Sequence, residues 1–152
     1  MTTNTDRPWV VDASVALKWY LLDEDFIEEA AVFRDGYVNE RLELIAPDYI
    51  RYEILNALEV ARIQRRITSL EANEGFGHFL GLGFHLPHDD DLLLLNAAGV
   101  SRRFVVAPYD ALYVALAETT GSLFVTADER LYRRIEGEAH YARWLGDIQL
   151  PS

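Results

Sequence analysis

Trp9-Val10-Val11-Asp12-Ala13-Ser14-Val15-Ala16 is the stretch from which the rest of the chain can be read. Three β-favouring apolar residues stop at an aspartate, and a helical pattern of Val15, Ala16, Trp19 and Tyr20 follows. The reading is a strand, an acid-bearing turn and a helix, with Ser14 a candidate cap. The same order returns late in the chain, where Leu123-Phe124-Val125 gives way to Thr126-Ala127-Asp128 and a short helix to about Ile135. Between them, Leu44-Ile45-Ala46 reads as a second strand. Pro47 opens a long helix to about Arg66, with Ile50, Ile54, Ala57, Leu58 and Ala61 on its apolar face. A helix over Glu24 to Phe33 is expected to end at Gly36, and Thr68 or Ser69 should cap one from Leu70 to Phe79. Phe84-His85-Leu86 reads as a third strand. His88-Asp89-Asp90-Asp91 leads into a helix through Leu93, Ala97 and Val100, and Pro108 opens another that Gly121 ends. Tyr141 to Leu145 would be the last strand. Short strands alternating with helices predict an α/β fold with a mostly parallel sheet.

Composition narrows the function. The 152 residues are half hydrophobic, enough for one domain with a true core. There is no cysteine, which excludes disulfides, iron–sulfur clusters, thiolate zinc sites and cysteine nucleophiles. Met1 to Pro8 is polar and no apolar run approaches the ~20 residues of a membrane span, so a soluble cytoplasmic protein without membrane contact is expected. Twenty-five acids against fourteen bases give a net charge of −11. Such a surface repels nucleic acid on average, although local charge and bound cations can invert this. All the bases but Lys18 are arginine, clustered at Arg62, Arg65 and Arg66, at Arg102 and Arg103, and at Arg130, Arg133 and Arg134. For any one of them, surface charge pairing is the ordinary reading; bidentate contact with phosphate is the alternative.

In parallel sheets, sites form beyond the carboxyl ends of the strands. Asp12 and Asp128 both stand just past a strand, and Glu53 lies early in the helix after the second strand, at the same rim. Asn56, three residues on, shares its face. Asp110 opens a helix whose other residues, Ala111-Leu112-Tyr113-Val114-Ala115-Leu116-Ala117, are core-like. Singly, each acid could be a cap, a turn residue or a solvated surface group. Four at one rim are hard to explain as caps. Carboxylates at close range repel, and an oxygen-only set without thiolate or histidine pair favours Mg²⁺ or Mn²⁺.

Val10-Val11-Asp12-Ala13-Ser14-Val15, Pro47 with Glu53 and Asn56, Tyr109-Asp110-Ala111-Leu112-Tyr113-Val114-Ala115-Leu116-Ala117, and Thr126-Ala127-Asp128 together resemble the successive signature blocks of PIN-domain ribonucleases. Their order and spacing are similar to the VapC-like toxins of toxin–antitoxin pairs, over about Pro8 to Leu150. The resemblance implies a single PIN domain over residues 1–152, with a flavodoxin-like three-layer α/β/α arrangement. It implies an Mg²⁺- or Mn²⁺-dependent endoribonuclease, an RNA substrate, a cognate antitoxin partner and a homodimer. Carried over, Asp12, Glu53, Asp110 and Asp128 are the catalytic, metal-binding quartet. Ser14 and Thr126 are auxiliary hydroxyls, and Asn56 orients neighbouring acids. One departure is Pro108, where family members often carry serine or threonine.

Three rivals are weaker. A receiver-type phosphoacceptor domain needs a lysine after a late strand, whereas Lys18 is in the first helix. An aspartate-nucleophile phosphatase wants a second aspartate where Ser14 stands. A non-catalytic interaction domain with the PIN fold would not need the intact quartet. His85-Leu86-Pro87-His88 with Asp89 to Asp91 is read as a loop and an acidic helix cap, because Pro87 breaks the helical spacing of a zinc pair. Trp9, Trp19 and Trp144 could stack bases, but packing is the ordinary role.

Overall fold

The computed structural model describes residues 7–84 and 86–151. The polar opening up to residue 6, and His85 of the expected third strand, lie outside them. Four strands form one sheet: β1 (Trp9–Val11), β2 (Leu44–Ile45), β3 (Leu123–Thr126) and β4 (Ala142–Trp144), in the order β2-β1-β3-β4. Every pairing is parallel. Seven α-helices accompany them among the described residues: α1 (Ala13–Ala16), α2 (Ile27–Val38), α3 (Ile50–Ile63), α4 (Ser69–Gly81), α5 (Asp91–Phe104), α6 (Pro108–Thr120) and α7 (Glu129–Ile135). The result is the expected three-layer α/β/α arrangement. None of these helices is long and apolar enough to cross a membrane.

The central strands are buried on both faces, as helices on either side of a parallel sheet require. Trp9, Val10, Val11, Phe124 and Val125 have no exposed surface. Trp9 meets Phe33 of α2 edge to face, with ring centroids 5.0 Å apart. Helix α6 is buried from Ala111 through Ala117 and contacts β1, β3 and α5. The three tryptophans are packing residues: Trp19 Nε1 donates to the Ala30 carbonyl at 2.8 Å, and Trp144 packs against Phe26 and Tyr132.

Several local expectations are corrected. Phe84 and Leu86 belong to no strand. Phe84 is a buried loop residue wedged edge-on between Phe79 and Tyr37, and Gly83 just before it turns the chain with φ +66°. Ser14 does not cap α1; Asp12 does, its carboxylate accepting the Val15 amide at 3.3 Å. The first helix is short, passing after Ala16 into a 3₁₀ turn over Leu17–Trp19. Helix α2 starts at Ile27, after Phe26 in a left-handed conformation, and runs through Gly36 to Val38. Gly36 is there because Leu42 packs on it: a Cβ would stand 2.6 Å from Leu42 Cδ1 and 2.8 Å from Cγ. Helix α3 starts at Ile50 after a turn opened by Pro47. Asp89 holds that turn from another segment, accepting the Asp48 and Tyr49 amides, each at 3.0 Å. Asp90 caps α5, and Thr68 with Glu71 forms a reciprocal capping box on α4.

These contacts predict opposite signs for two glycine substitutions. Gly77, in exposed α4 with nothing near its missing Cβ, should become more stable by about 0.5–1 kcal/mol as alanine. Gly36→Ala should lose about 1 kcal/mol or more, because the Leu42 side chain must yield. Urea unfolding of both variants checks this; a stabilised Gly36→Ala would contradict the packing role.

Candidate active site

The parallel register pairs Val11 with Val125, so the residues that follow, Asp12 and Thr126, emerge side by side at the carboxyl rim. The Thr126 hydroxyl donates to Asp12 Oδ2 at 2.5 Å, and the Ser14 hydroxyl donates to Oδ1. Both hydroxyls are themselves aimed. Ser14 Oγ accepts the Ala127 amide at 2.9 Å and Thr126 Oγ1 accepts the Asp128 amide at 3.0 Å, which leaves their protons for the carboxylate. Asp12 is only 5% exposed. Burial pushes its carboxyl up to about 7 despite these hydrogen bonds, and the negative charge of Glu53 adds to the rise.

Glu53, one turn into α3, accepts the Tyr113 phenol at 2.5 Å. Its carboxyl is raised by burial and by the charge of Asp110, against the lowering effect of the Tyr113 bond. Asp110, in the first turn of α6, makes no side-chain cap bond; burial and the charge of Asp128 raise it. Asp128 caps α7 by accepting the Leu131 amide at 3.1 Å. It also lines, with Asp110, Arg130 and Arg134, a hollow of about 240 Å³. The cap reading is therefore true of Asp12 and Asp128, and both also face the rim. Asp110 feels the charge of Asp128, Glu53 that of Asp110, and Asp12 that of Glu53. None of the four takes part in an ion pair with a described residue.

The donor set suits a hard divalent cation: carboxylates and hydroxyls only, coupled and not neutralised by a basic side chain. Among the described residues, however, no three acidic or histidine side chains stand close enough to make a ready coordination group. The acids form an open rim in place of a closed cage. Asn56 is exposed and makes no hydrogen bond to any of them. Tyr113 is the residue whose part the sequence hid. It lies fully buried in α6, where a phenol must find a partner. That partner, Glu53, is on α3. Lys18 pairs with Glu24 at 3.3 Å, away from the rim acids.

Burial of Asp12 has a measurable cost. Its folded carboxyl, at about 7, titrates above the ordinary value of 3.8, so folding favours the protonated form. The contribution is favourable at low pH and is lost as pH rises from about 4 to about 7. Without metal, the melting temperature of the parent should fall relative to that of Asp12→Asn between pH 5 and pH 8. Asparagine keeps the cap but offers one acceptor oxygen where the carboxylate offers two to the Ser14 and Thr126 hydroxyls, so in EDTA the change of the gap with pH, not its size at one pH, reports the charge. A gap that stays constant from pH 5 to pH 8 would contradict a strained carboxylate.

The model of the PIN domain family matches residues 9–137. No curated protein matches the chain. Among solved structures, PAE2754 from Pyrobaculum aerophilum is similar at a TM-score of 0.69 and 24% identity, over 92% of this chain and 85% of that one. VapBC2 from Rickettsia felis, solved bound to a DNA fragment from their promoter, is similar at a TM-score of 0.65 and 8% identity, over 95% and 98%. At these identities the two likenesses concern the fold. The family match runs from β1 through α7 and spans every acid of the rim, and the chain belongs to the PIN-domain family.

Proposed function

We propose that this protein is a metal-dependent endoribonuclease, the toxin of a toxin–antitoxin pair, acting in the cytoplasm on RNA. The observation that carries the reading is the row of four coupled carboxylates without a basic partner. The fold likeness to VapBC2 supports the toxin part, and a homodimer belongs to the same reading. The partner antitoxin would cover an acidic rim, so the segment reaching it should present arginine or lysine. Exchanging that base for alanine should release nuclease activity from the complex; a complex still fully inhibited would count against this route.

Asp12, Glu53, Asp110 and Asp128 would hold Mg²⁺ or Mn²⁺, some directly and some through water, as the open rim suits an ion that keeps much of its hydration. When bound, such an ion activates water and neutralises charge at a phosphodiester. The chain's own groups prepare the site. Ser14 and Thr126 fix both Asp12 oxygens and favour the charged form that burial opposes. Tyr113 fixes one oxygen of Glu53 and leaves the other open. Asp110 stands half-buried in the first turn of α6, with Asp128 as its charged neighbour. Asp128 has one oxygen on its helix cap and faces the hollow.

The test is cleavage of RNA by the purified chain. Activity should require Mg²⁺ or Mn²⁺ and vanish in Asp12→Asn while the circular-dichroism spectrum stays unchanged. Tyr113→Phe should keep the fold and lose several-fold activity, consistent with one hydrogen bond of about 1 kcal/mol. Full activity of Asp12→Asn, or activity in excess EDTA, would overturn the mechanism. A folded, metal-loaded wild type that cleaves no RNA would leave a non-catalytic interaction domain.

A further inference from the structure

Helix α6 is core-like from Ala111 through Ala117, and Tyr113 is the one polar side chain of that run. Its side chain is buried, so the hydroxyl must find its partners inside the protein. It finds two. The Ala13 amide donates to the phenol oxygen, and the phenol proton goes to Glu53 Oε1 at 2.5 Å. A phenol has a single proton to donate, so Tyr113 serves one oxygen of Glu53 and no other acceptor. Ala13 directly follows Asp12, and Glu53 lies on α3. One side chain of α6 therefore ties the turn that carries Asp12 to the helix that carries Glu53.

Two of the other rim acids are committed in the same manner. Asp12 Oδ2 accepts from Thr126, and Oδ1 accepts from Ser14 and from the Val15 amide. Asp128 Oδ1 accepts the Leu131 amide. With Glu53, three of the four carboxylates have at least one oxygen engaged by a protein donor. A carboxylate held in this way gives an ion one oxygen more readily than two, because two-oxygen contact makes the ion compete with the donor.

Divalent cations differ in what they ask of a carboxylate. Ca²⁺ gathers about six to eight oxygens and often takes both oxygens of one carboxylate. Mg²⁺ takes about six in a strict octahedron, binds one or two carboxylates and keeps several waters. Mn²⁺ likewise accepts an octahedral set of carboxylate and water oxygens. We propose that Tyr113 sets the ion preference of the rim: by holding one oxygen of Glu53 it keeps that carboxylate to a single metal contact, and the rim takes Mg²⁺ and Mn²⁺ in preference to Ca²⁺. Tyr113 is a positioning residue, acting through Glu53. The inference rests on the metal-dependent reading of the rim and adds which ions it accepts and the side chain that selects them.

The experiment is calorimetric titration of the chelator-stripped protein with MnCl₂ and with CaCl₂, at pH 8 and without RNA. Only the binding lost in Asp12→Asn is counted, which removes ions held elsewhere on an acidic surface. The wild type should bind Mn²⁺ more tightly than Ca²⁺. Tyr113→Phe keeps the ring and frees the Glu53 oxygen, so it should narrow the Mn²⁺-to-Ca²⁺ affinity ratio by about fivefold, the worth of one hydrogen bond. A merely structural role would weaken both ions alike and leave the ratio unchanged, and that result overturns the proposal. So does a wild type that binds the two ions equally. Circular dichroism checks that the variant folds. If it does not, a crystal of the wild type with Mn²⁺ decides: Glu53 bound through one oxygen, with Tyr113 still on the other, supports the proposal, and Glu53 bound through both overturns it. The two readings fail separately. Mn²⁺ binding with an unchanged ratio in Tyr113→Phe removes the role of Tyr113 alone, whereas a folded wild type that binds no Mn²⁺ at the rim removes the metal-dependent reading and the preference with it.

Discussion

Parallel pairing of Val11 with Val125 is the constraint on which the site depends. It brings two strand ends, more than a hundred residues apart in sequence, to the same height, and it sets Asp12 against Thr126. The hydroxyls of Thr126 and Ser14 can serve that carboxylate because the turn after β3 supplies the amides they accept. A slip of one residue would turn Asp12 to the other side and take the Thr126 hydroxyl away from it. Trp9, Val10 and Phe124, wholly buried, are what hold the register.

The second feature is electrostatic. The fold spends stability on keeping like charges together: burial raises Asp12, Glu53 and Asp110, and each also feels a neighbouring acid. Local hydrogen bonds relieve Asp12 and Glu53 but do not cancel the effect. Surface acids elsewhere, such as Asp23, Asp48 and Glu118, have arginines beside them. At the rim, four carboxylates stand near one another and no arginine or lysine is paired with any of them among the described residues. Arg130 and Arg134, which pair with no described carboxylate, line the hollow beside Asp110 and Asp128.

Much of this was legible in the sequence. Three-residue apolar runs that give way to an acid-bearing turn mark β1 and β3, and Asp12 and Asp128 follow from them. Glu53 and Asp110 follow from helix starts at the same rim. The errors share a cause: a local pattern cannot show the distant partner that decides it. Phe84 looks like a strand residue because it is buried, yet it is buried against Phe79 and Tyr37. Gly36 looks like a helix end, yet it makes room for Leu42. Tyr113 looks like one more core aromatic, and only the packing of α6 near α3 reveals its bond to Glu53. Asp89 belongs to an acidic run that reads as one cap, yet it braces the entry of α3. Among the arginines, sequence offered several clusters, and the ion pairs thin each of them without choosing one: Arg62, Arg66, Arg103 and Arg133 are paired, whereas Arg65, Arg102, Arg130 and Arg134 pair with no described residue.

The claim that these four acids act as one site is tested most directly by anomalous scattering from a crystal of the chain grown with millimolar Mn²⁺. The expected result is a manganese peak at the rim, bonded to Asp12 and shared with others of Glu53, Asp110 and Asp128, and its disappearance in Asp12→Asn. Manganese bound only elsewhere, or none at the rim in a well-ordered crystal, would contradict it.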